Sequence, residues 1–272
     1  MEEELTILKL GGSLITDKSQ PYTVRHEVLQ RVSQEVKECL DEGLIQGLIL
    51  IHGVGSYGHP PVLKHKLHKG YLGSEQLLPL SRTQSEVAEL RNIIVKQFQE
   101  VGVPICLMYP SSMLIQEEMQ IVRYFFEPLK GWVDIAMVPL LGGDIIIDPA
   151  MGWSVGSGDQ MAVVIARELG AKRLLFACDV SGVYDTDPKT HPDASLMKEV
   201  NLNQIDSVLE EMGKSDVVDA SGAMKGKLNS IVPAKDLVEA GSEVSLFSMM
   251  EYGNLEALLK GEDIEATDVV VR

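Results

Sequence analysis

Four times along the chain an apolar run rich in Ile, Leu and Val stops abruptly at a polar or glycine-dense turn. Leu5-Thr6-Ile7-Leu8-Lys9-Leu10 runs into Gly11-Gly12-Ser13, and Gly47 to His52 runs into Gly53-Val54-Gly55-Ser56-Tyr57-Gly58-His59-Pro60. Ala136 to Leu141 ends on Gly142-Gly143-Asp144, and Lys172 to Asp179 leads into Val180-Ser181-Gly182-Val183-Tyr184. Short apolar runs closed by turn residues predict strands buried on both faces of a parallel sheet. Between the first two, Val28, Leu29, Val32, Val36 and Leu40 keep helical spacing from Val24 to Asp41 and stop at Gly43. That is a crossover helix, which makes a βαβ unit with both glycine turns on one edge of the sheet.

Further helices are predicted from Ser81 to Val101, from Ser157-Gly158-Asp159 to Leu169, and from Ser221 to Ala240. Pro104 to Tyr109 reads as a short strand, Ile121 to Glu127 as part of an antiparallel excursion, and Ile145–Asp148 with Met151–Val155 as a hairpin. Glu243 to Phe247 and Thr267 to Val271 close the sheet, while the stretch 185–194, with two prolines and three aspartates, reads as an exposed irregular loop. The expected class is α/β with a mainly parallel central sheet, in a single domain over residues 1–272 without repeat or linker.

The turn after His52 places three glycines within six residues. Glycines let the backbone approach a ligand and turn successive N–H groups toward an anion. The same turn also suits a tight strand-to-helix connection in which a histidine is satisfied by the backbone. Lys9 adds weight to the anion reading, because a lysine inside an apolar strand is costly to bury without an anionic partner, and a transferring phosphoryl group is one. Asp159 falls in the first turn of a predicted helix, as a cap or as a carboxylate that orients lysines. Lys225 and Lys227, beside glycines near a predicted helix start, oppose the helix dipole unless an anion sits nearby. His65, Lys66, His68 and Lys69 form a basic patch read as a solvated helix face.

The 272 residues are 45% hydrophobic and 24% charged, with a formal net charge of −16. Such a balance excludes a general nucleic-acid surface, but a few lysines focused in a cleft still attract a phosphorylated small molecule. Cys39, Cys106 and Cys178 are too scattered for a disulfide framework or a metal cluster. The acidic start, Met1-Glu2-Glu3-Glu4, does not resemble a signal peptide and no apolar run has transmembrane length, so a cytoplasmic protein without membrane contact is expected. The P-loop spacing, Gly-x-Gly-x-x-Gly, His-Glu-x-x-His and the serine elbow are all absent.

Taken together, Lys9-Leu10-Gly11-Gly12-Ser13, the His52–Pro60 turn, Gly143-Asp144, Ser157-Gly158-Asp159, the Asp179–Tyr184 segment and Met224-Lys225-Gly226-Lys227 resemble, in this order, the amino acid kinase superfamily. Thr16-Asp17-Lys18 and Gly58-His59-Pro60 look most like its isopentenyl phosphate kinase branch. The resemblance implies an open αβα sandwich whose residues 1–155 bind the phosphate acceptor and 156–272 bind ATP, with Mg2+ on the nucleotide and a homodimeric assembly. It implies that Lys9, Lys18 and Lys227 neutralise the phosphates while Asp159 holds lysines in place. His59 would hydrogen-bond the acceptor, with Gly53, Gly55, Ser56, Gly58, Gly143 and Gly158 around it. Gly11, Gly12, Ser13, Asp179, Gly182, Tyr184 and Lys225 would surround the nucleotide beside Lys9 and Lys227. The implied reaction is ATP-dependent phosphorylation of isopentenyl phosphate. A kinase for another small phosphate or phosphonate, such as fosfomycin, and a non-catalytic nucleotide sensor are the alternatives. Val54 and Ala223 stand where relatives commonly have glycine; a valine disfavours positive φ, so Val54 is expected in an ordinary backbone region.

Overall fold

The computed structural model describes residues 4–212 and 220–272. Its elements are, in chain order, β1 (Leu5–Leu10), α1 (Gly12–Ile15), α2 (His26–Asp41), β2 (Gly47–His52), α3 (Gly55–Lys64), α4 (Leu77–Glu100), β3 (Ile105–Leu107), β4 (Leu114–Glu117), β5 (Gln120–Tyr124), α5 (Glu127–Asp134), β6 (Val138–Gly142), β7 (Asp144–Asp148) and β8 (Gly152–Gly156). Then come α6 (Gly158–Leu169), β9 (Arg173–Cys178), β10 (Val183–Tyr184), β11 (Leu196–Met197), β12 (Glu199–Asn201), α7 (Ile205–Met212), α8 (Ala220–Ile231), α9 (Lys235–Glu239), β13 (Glu243–Ser248), α10 (Asn254–Lys260) and β14 (Ala266–Val270). Eight strands form one sheet in the order β12-β14-β13-β9-β1-β2-β6-β3, parallel throughout except between β13 and β14. The mainly parallel sheet expected from the sequence is therefore present, built from strands along the whole chain.

Alternation along the strands decides which side chains reach which layer. Ile7, Ile49, Ile51, Leu141 and Phe176 join the core under α5, α6 and α8. Leu8, Leu10, Leu48, Leu50 and Leu175 join the opposite core, under α2 and α4. The result is the expected αβα sandwich. Lys9, two residues after Ile7, consequently projects toward α6 and is only 5% exposed. The chain leaves β1 for β2 on one side and later places β9 on the other. This reversal of strand order opens a crevice at the carboxyl ends of β1, β2 and β9.

Several expectations are corrected. The helix expected from Ser221 to Ala240 is broken, because Pro233 cannot donate into a continuing ladder; α8 stops at Ile231 and α9 resumes after a 3-10 turn at Val232–Ala234. Lys225 and Lys227 fall well inside α8 rather than at its start. The helix expected from Ser81 begins earlier, at Leu77. Pro104–Tyr109 shortens to the three residues of β3, and the Ile121–Glu127 excursion divides between β5 and the start of α5. The loop 185–194 is the tip of a hairpin whose base is the β10–β11 pair. Among the described residues, no helix is long and apolar enough to cross a membrane.

Candidate active site

The crevice begins where β1 and β2 end side by side, with Leu10 in register with His52. The two following turns touch through their backbones. A Cβ on Gly12 would lie 2.6 Å from the Gly55 nitrogen, and one on Gly53 would lie 2.5 Å from the Gly12 nitrogen. Only glycine allows this approach, and Gly55 in addition takes φ +46°. Thr16 ties the turns together: its hydroxyl donates to the Gly12 carbonyl at 2.6 Å and accepts from the Ser56 N–H at 3.0 Å. Val54 has φ −84° and ψ −18°, the ordinary region expected of a β-branched residue. Its side chain lies over Gly143, where a Cβ would come within 2.7 Å of it, and it also covers Gly58.

A cleft of about 520 Å³ opens above these turns. Its wall takes in Lys9, Gly11, Gly12, Ser13, Lys18, Gly53, Gly55, His59, Gly143, Gly158, Asp159, Asp179, Gly182, Tyr184 and Lys227. Residues distant in sequence are thus brought to one cavity. Three of the expected residues are not on the wall. The Ser56 hydroxyl turns away to accept the Thr23 N–H at 3.2 Å, and its own N–H is committed to Thr16. Gly58 is buried inside α3 beneath Val54. Lys225 sits two residues before Lys227, about 200° away around the helix, so the two cannot share a face. Gly222 and Ala223 lie outside the residues whose side chains are described.

At the floor, one carboxylate oxygen of Asp159 accepts from Lys9 Nζ at 2.7 Å and from Lys227 Nζ at 2.8 Å. Lys9 arrives from β1, Asp159 from the first turn of α6 and Lys227 from α8. Burial alone would raise the Asp159 pKa, but Lys227 and Lys9 outweigh it and hold the carboxyl well below its ordinary value. For Lys227, burial is outweighed by the Asp159 carboxylate and the pKa rises; for Lys9, burial dominates and the pKa falls despite Asp159. Two cations thus share one anion, which leaves net positive charge in a recess. The N-terminus of α6, at Gly158, opens on the same cleft and favours an anion there.

At the rim, His59 is exposed as a residue, while its ring stands where desolvation and the charges of Lys18 and Lys9 lower its pKa. Across the mouth, Lys189 forms an ion pair with Asp179; burial raises and Lys189 lowers the Asp179 pKa, and lowering wins. Lys189, Asp185 and Asp187 all belong to the cleft wall, although the sequence marked their loop only as exposed. His52, by contrast, is fully buried with Nδ1 facing the Gly53 carbonyl at 3.1 Å, so for this histidine the backbone-satisfied reading holds.

The model of the amino acid kinase family matches residues 4–241. The chain belongs to the amino acid kinase family. Family membership implies ATP as the phosphoryl donor. A protein of Methanocaldococcus jannaschii named isopentenyl phosphate kinase is 31% identical over 274 residues, covering 97% of this chain and 98% of its own length. Another of that name, from Methanothermobacter thermautotrophicus, is 29% identical and covers 97% of this chain and 98% of itself. A crystal structure of an isopentenyl phosphate kinase matches the fold with a TM-score of 0.82 at 27% identity, covering 98% of this chain and all of that one.

Proposed function

We propose that the chain transfers the γ-phosphoryl group of ATP to isopentenyl phosphate, giving isopentenyl diphosphate and ADP. The observation that carries this reading is the Lys9–Asp159–Lys227 group at the floor of a glycine-walled cleft. A terminal oxygen of the acceptor phosphate attacks the γ-phosphorus in line. The new P–O bond forms as the bond to the β,γ-bridging oxygen breaks, and ADP leaves with that electron pair. An already ionised phosphate needs no strong base, so the protein supplies position and positive charge. Lys9, Lys227 and, from the rim, Lys18 neutralise the transferring group, while Asp159 fixes the ammonium groups of Lys9 and Lys227. His59 donates to the acceptor phosphate, next to the turns at Gly53, Gly55 and Gly143. Asp179, Gly182 and Tyr184 flank the nucleotide, so residues 1–155 mainly serve the acceptor and 156–272 the donor.

Magnesium fits this site only as a companion of the nucleotide. Among the described residues no cluster of three or more His, Cys, Asp or Glu could hold a metal; of the cleft carboxylates, Asp159 and Asp179 are committed to lysines, and Asp185 and Asp187 accept from groups of their own hairpin. Phosphate oxygens and water would therefore be its main ligands, and its charge would add to that of the lysines. A cytoplasmic homodimer belongs to the same reading, with analytical ultracentrifugation as the check on assembly.

The deciding measurement is ADP release with magnesium-ATP and isopentenyl phosphate, dimethylallyl phosphate, geranyl phosphate or fosfomycin at equal concentration. Preference for isopentenyl phosphate supports the proposal. Preference for fosfomycin would transfer the assignment to a phosphonate kinase, and tight nucleotide binding without turnover of any acceptor would favour a sensor. Retaining three lysines and a carboxylate shared by two of them in one cleft is more than nucleotide binding alone demands.

A further inference from the structure

Arg91 stands on the buried stripe of α4 and is 1% exposed, among the largest fully buried side chains of the molecule. A buried guanidinium is costly unless its hydrogen bonds are met, and the residues around it on the helix, Val87, Leu90 and Ile94, are apolar. Its partners lead directly to the cleft. Nε–H donates to His52 Nε2 at 3.1 Å, a terminal nitrogen donates to the Gly143 carbonyl at 3.4 Å, and the guanidinium lies 5.0 Å from the centre of the Tyr109 ring. Asp144 acts on it electrostatically, while the Asp144 oxygens accept from the Ser111 hydroxyl at 3.0 Å and the Ile145 N–H at 2.8 Å.

Because His52 Nε2 accepts from Arg91, its proton sits on Nδ1, which donates to the Gly53 carbonyl at 3.1 Å. Burial first, and then the Arg91 charge, push the His52 pKa down to about 3, consistent with a neutral ring. Gly142 leaves room for that ring, since a Cβ there would lie 2.5 Å from Nε2. The carbonyls of Gly53 and Gly143, two residues of the cleft wall, are therefore drawn backward toward His52 and Arg91. A phosphate entering the cleft therefore meets fewer carbonyl oxygens at these turns, whose own Gly53 and Gly143 N–H groups are held by the Leu10 and His52 carbonyls.

We infer that Arg91 is a positioning residue for the acceptor phosphate, holding the Gly53 and Gly143 turns from behind through His52 and the Gly143 carbonyl. This rests on the reading above, in which the Gly53, Gly143 and His59 end receives the acceptor.

The test compares wild type, Arg91→Met, Arg91→Lys and His52→Gln with the donor end saturated by magnesium and a non-hydrolysable ATP analogue. Calorimetry then measures binding of inorganic phosphate and, separately, of isopentenyl phosphate. Arg91→Met is expected to weaken phosphate binding about tenfold or more while nucleotide affinity stays within about twofold. In steady state the acceptor KM rises while the ATP KM does not, a split that a general loss of structure would not produce. Arg91→Lys should fall between wild type and Met, because it restores charge but not the planar fork. Should Arg91→Met not fold, His52→Gln carries the test: its amide oxygen still accepts from Arg91 but the link to Gly53 is cut, and phosphate binding should weaken in the same direction.

Unchanged phosphate affinity in a folded variant, an equal loss of nucleotide affinity, or no recovery in Arg91→Lys overturns the inference. If wild type binds phosphate but not isopentenyl phosphate, the tail assignment fails and Arg91 is still judged on phosphate. If wild type with a filled donor end binds no phosphate, there is no acceptor anion to position and the inference falls.

Discussion

Replacing Asp159 by Asn exchanges one oxygen for an NH2 group and leaves the side-chain shape almost unchanged. It nevertheless removes the carboxylate that Lys9 and Lys227 share, at 2.7 and 2.8 Å, in a place where the two lysine side chains are 6% and 9% exposed. The recess then holds two positive charges with no anion between them. Removing one partner of a buried ion pair costs roughly 3–5 kcal/mol, a fifth or more of the roughly 5–15 kcal/mol that stabilises a typical domain. Part of the loss is relieved because Lys227, whose pKa Asp159 raises, gives up its proton more readily without it. The expected fall in unfolding free energy is therefore near the lower end, about 3 kcal/mol. Turnover should drop on the order of a hundredfold to a thousandfold, the effect of losing one well-placed charge-stabilising group. Magnesium-ATP returns anionic oxygens to the same recess, so the analogue should stabilise Asp159→Asn more than it stabilises wild type. Urea unfolding with and without the non-hydrolysable analogue measures both terms. A stability loss under about 1 kcal/mol, or the same nucleotide-induced gain in both proteins, would refute the shared-carboxylate argument.

Three further outcomes follow from the site. His59→Ala should raise the acceptor KM about tenfold or more, as expected for a lost hydrogen bond to a charged group, and leave the ATP KM nearly unchanged; a large loss of ATP affinity would place His59 at the wrong end. Val54→Gly removes the side chain that covers Gly58 and Gly143 at the cleft wall, so kcat/KM for geranyl phosphate relative to isopentenyl phosphate should rise, and an unchanged ratio would show that Val54 does not meet the tail. Acid should destabilise the protein through His52: its folded pKa of about 3 lies below the ordinary 6.5, so its contribution is complete above pH 6.5 and is lost as pH falls toward 3. At pH 4.5 the loss is on the order of 2–3 kcal/mol, from two pH units at ~1.36 kcal/mol each, and unfolding of His52→Gln should show a flatter pH dependence over this window. Asp159, whose pKa is lowered, loses its own contribution only below its ordinary 3.8, which separates the two windows.

The fold was legible because a parallel strand buried on both faces leaves an unbroken apolar run, and each run here ends at a turn. Lys9 was legible for the same reason, as a charge inside such a run. What a linear reading lacked was direction around an axis. Lys225 and Lys227 looked equivalent until the helix turned them to different faces, and Ser56 looked like a phosphate ligand until Thr16 and Thr23 took its polar atoms. Pro233 lay in plain view inside the expected helix and marked its break. Arg91 was also readable, since Val87, Arg91, Ile94 and Phe98 follow the four-three-four spacing of a buried stripe. The usual exposure of arginine hid it. Lys189 carried no signal, because an ion pair between a hairpin tip and the end of β9 depends on how the hairpin folds back.

The charges of the site can be understood together. A chain with a net charge of −16 must keep cations ready for phosphate without letting them collapse onto its own acidic surface. Three arrangements in and behind the cleft meet this in different ways. Lys9 and Lys227 share a single carboxylate, so net positive charge survives at the floor. Lys189 is paired with Asp179 at the mouth, where a ligand can compete for either partner. Arg91 hydrogen-bonds to a ring nitrogen and a carbonyl, so its charge stays behind the glycine turns. Because Lys9, Lys227 and Arg91 are buried and held in place by their partners, little reorganisation of these groups remains for the moment of transfer, which is when charge stabilisation accelerates a reaction. The same arrangement selects the ligand: recessed cations attract a small polyphosphate that can enter the cleft, while the acidic exterior repels an extended polyanion that cannot.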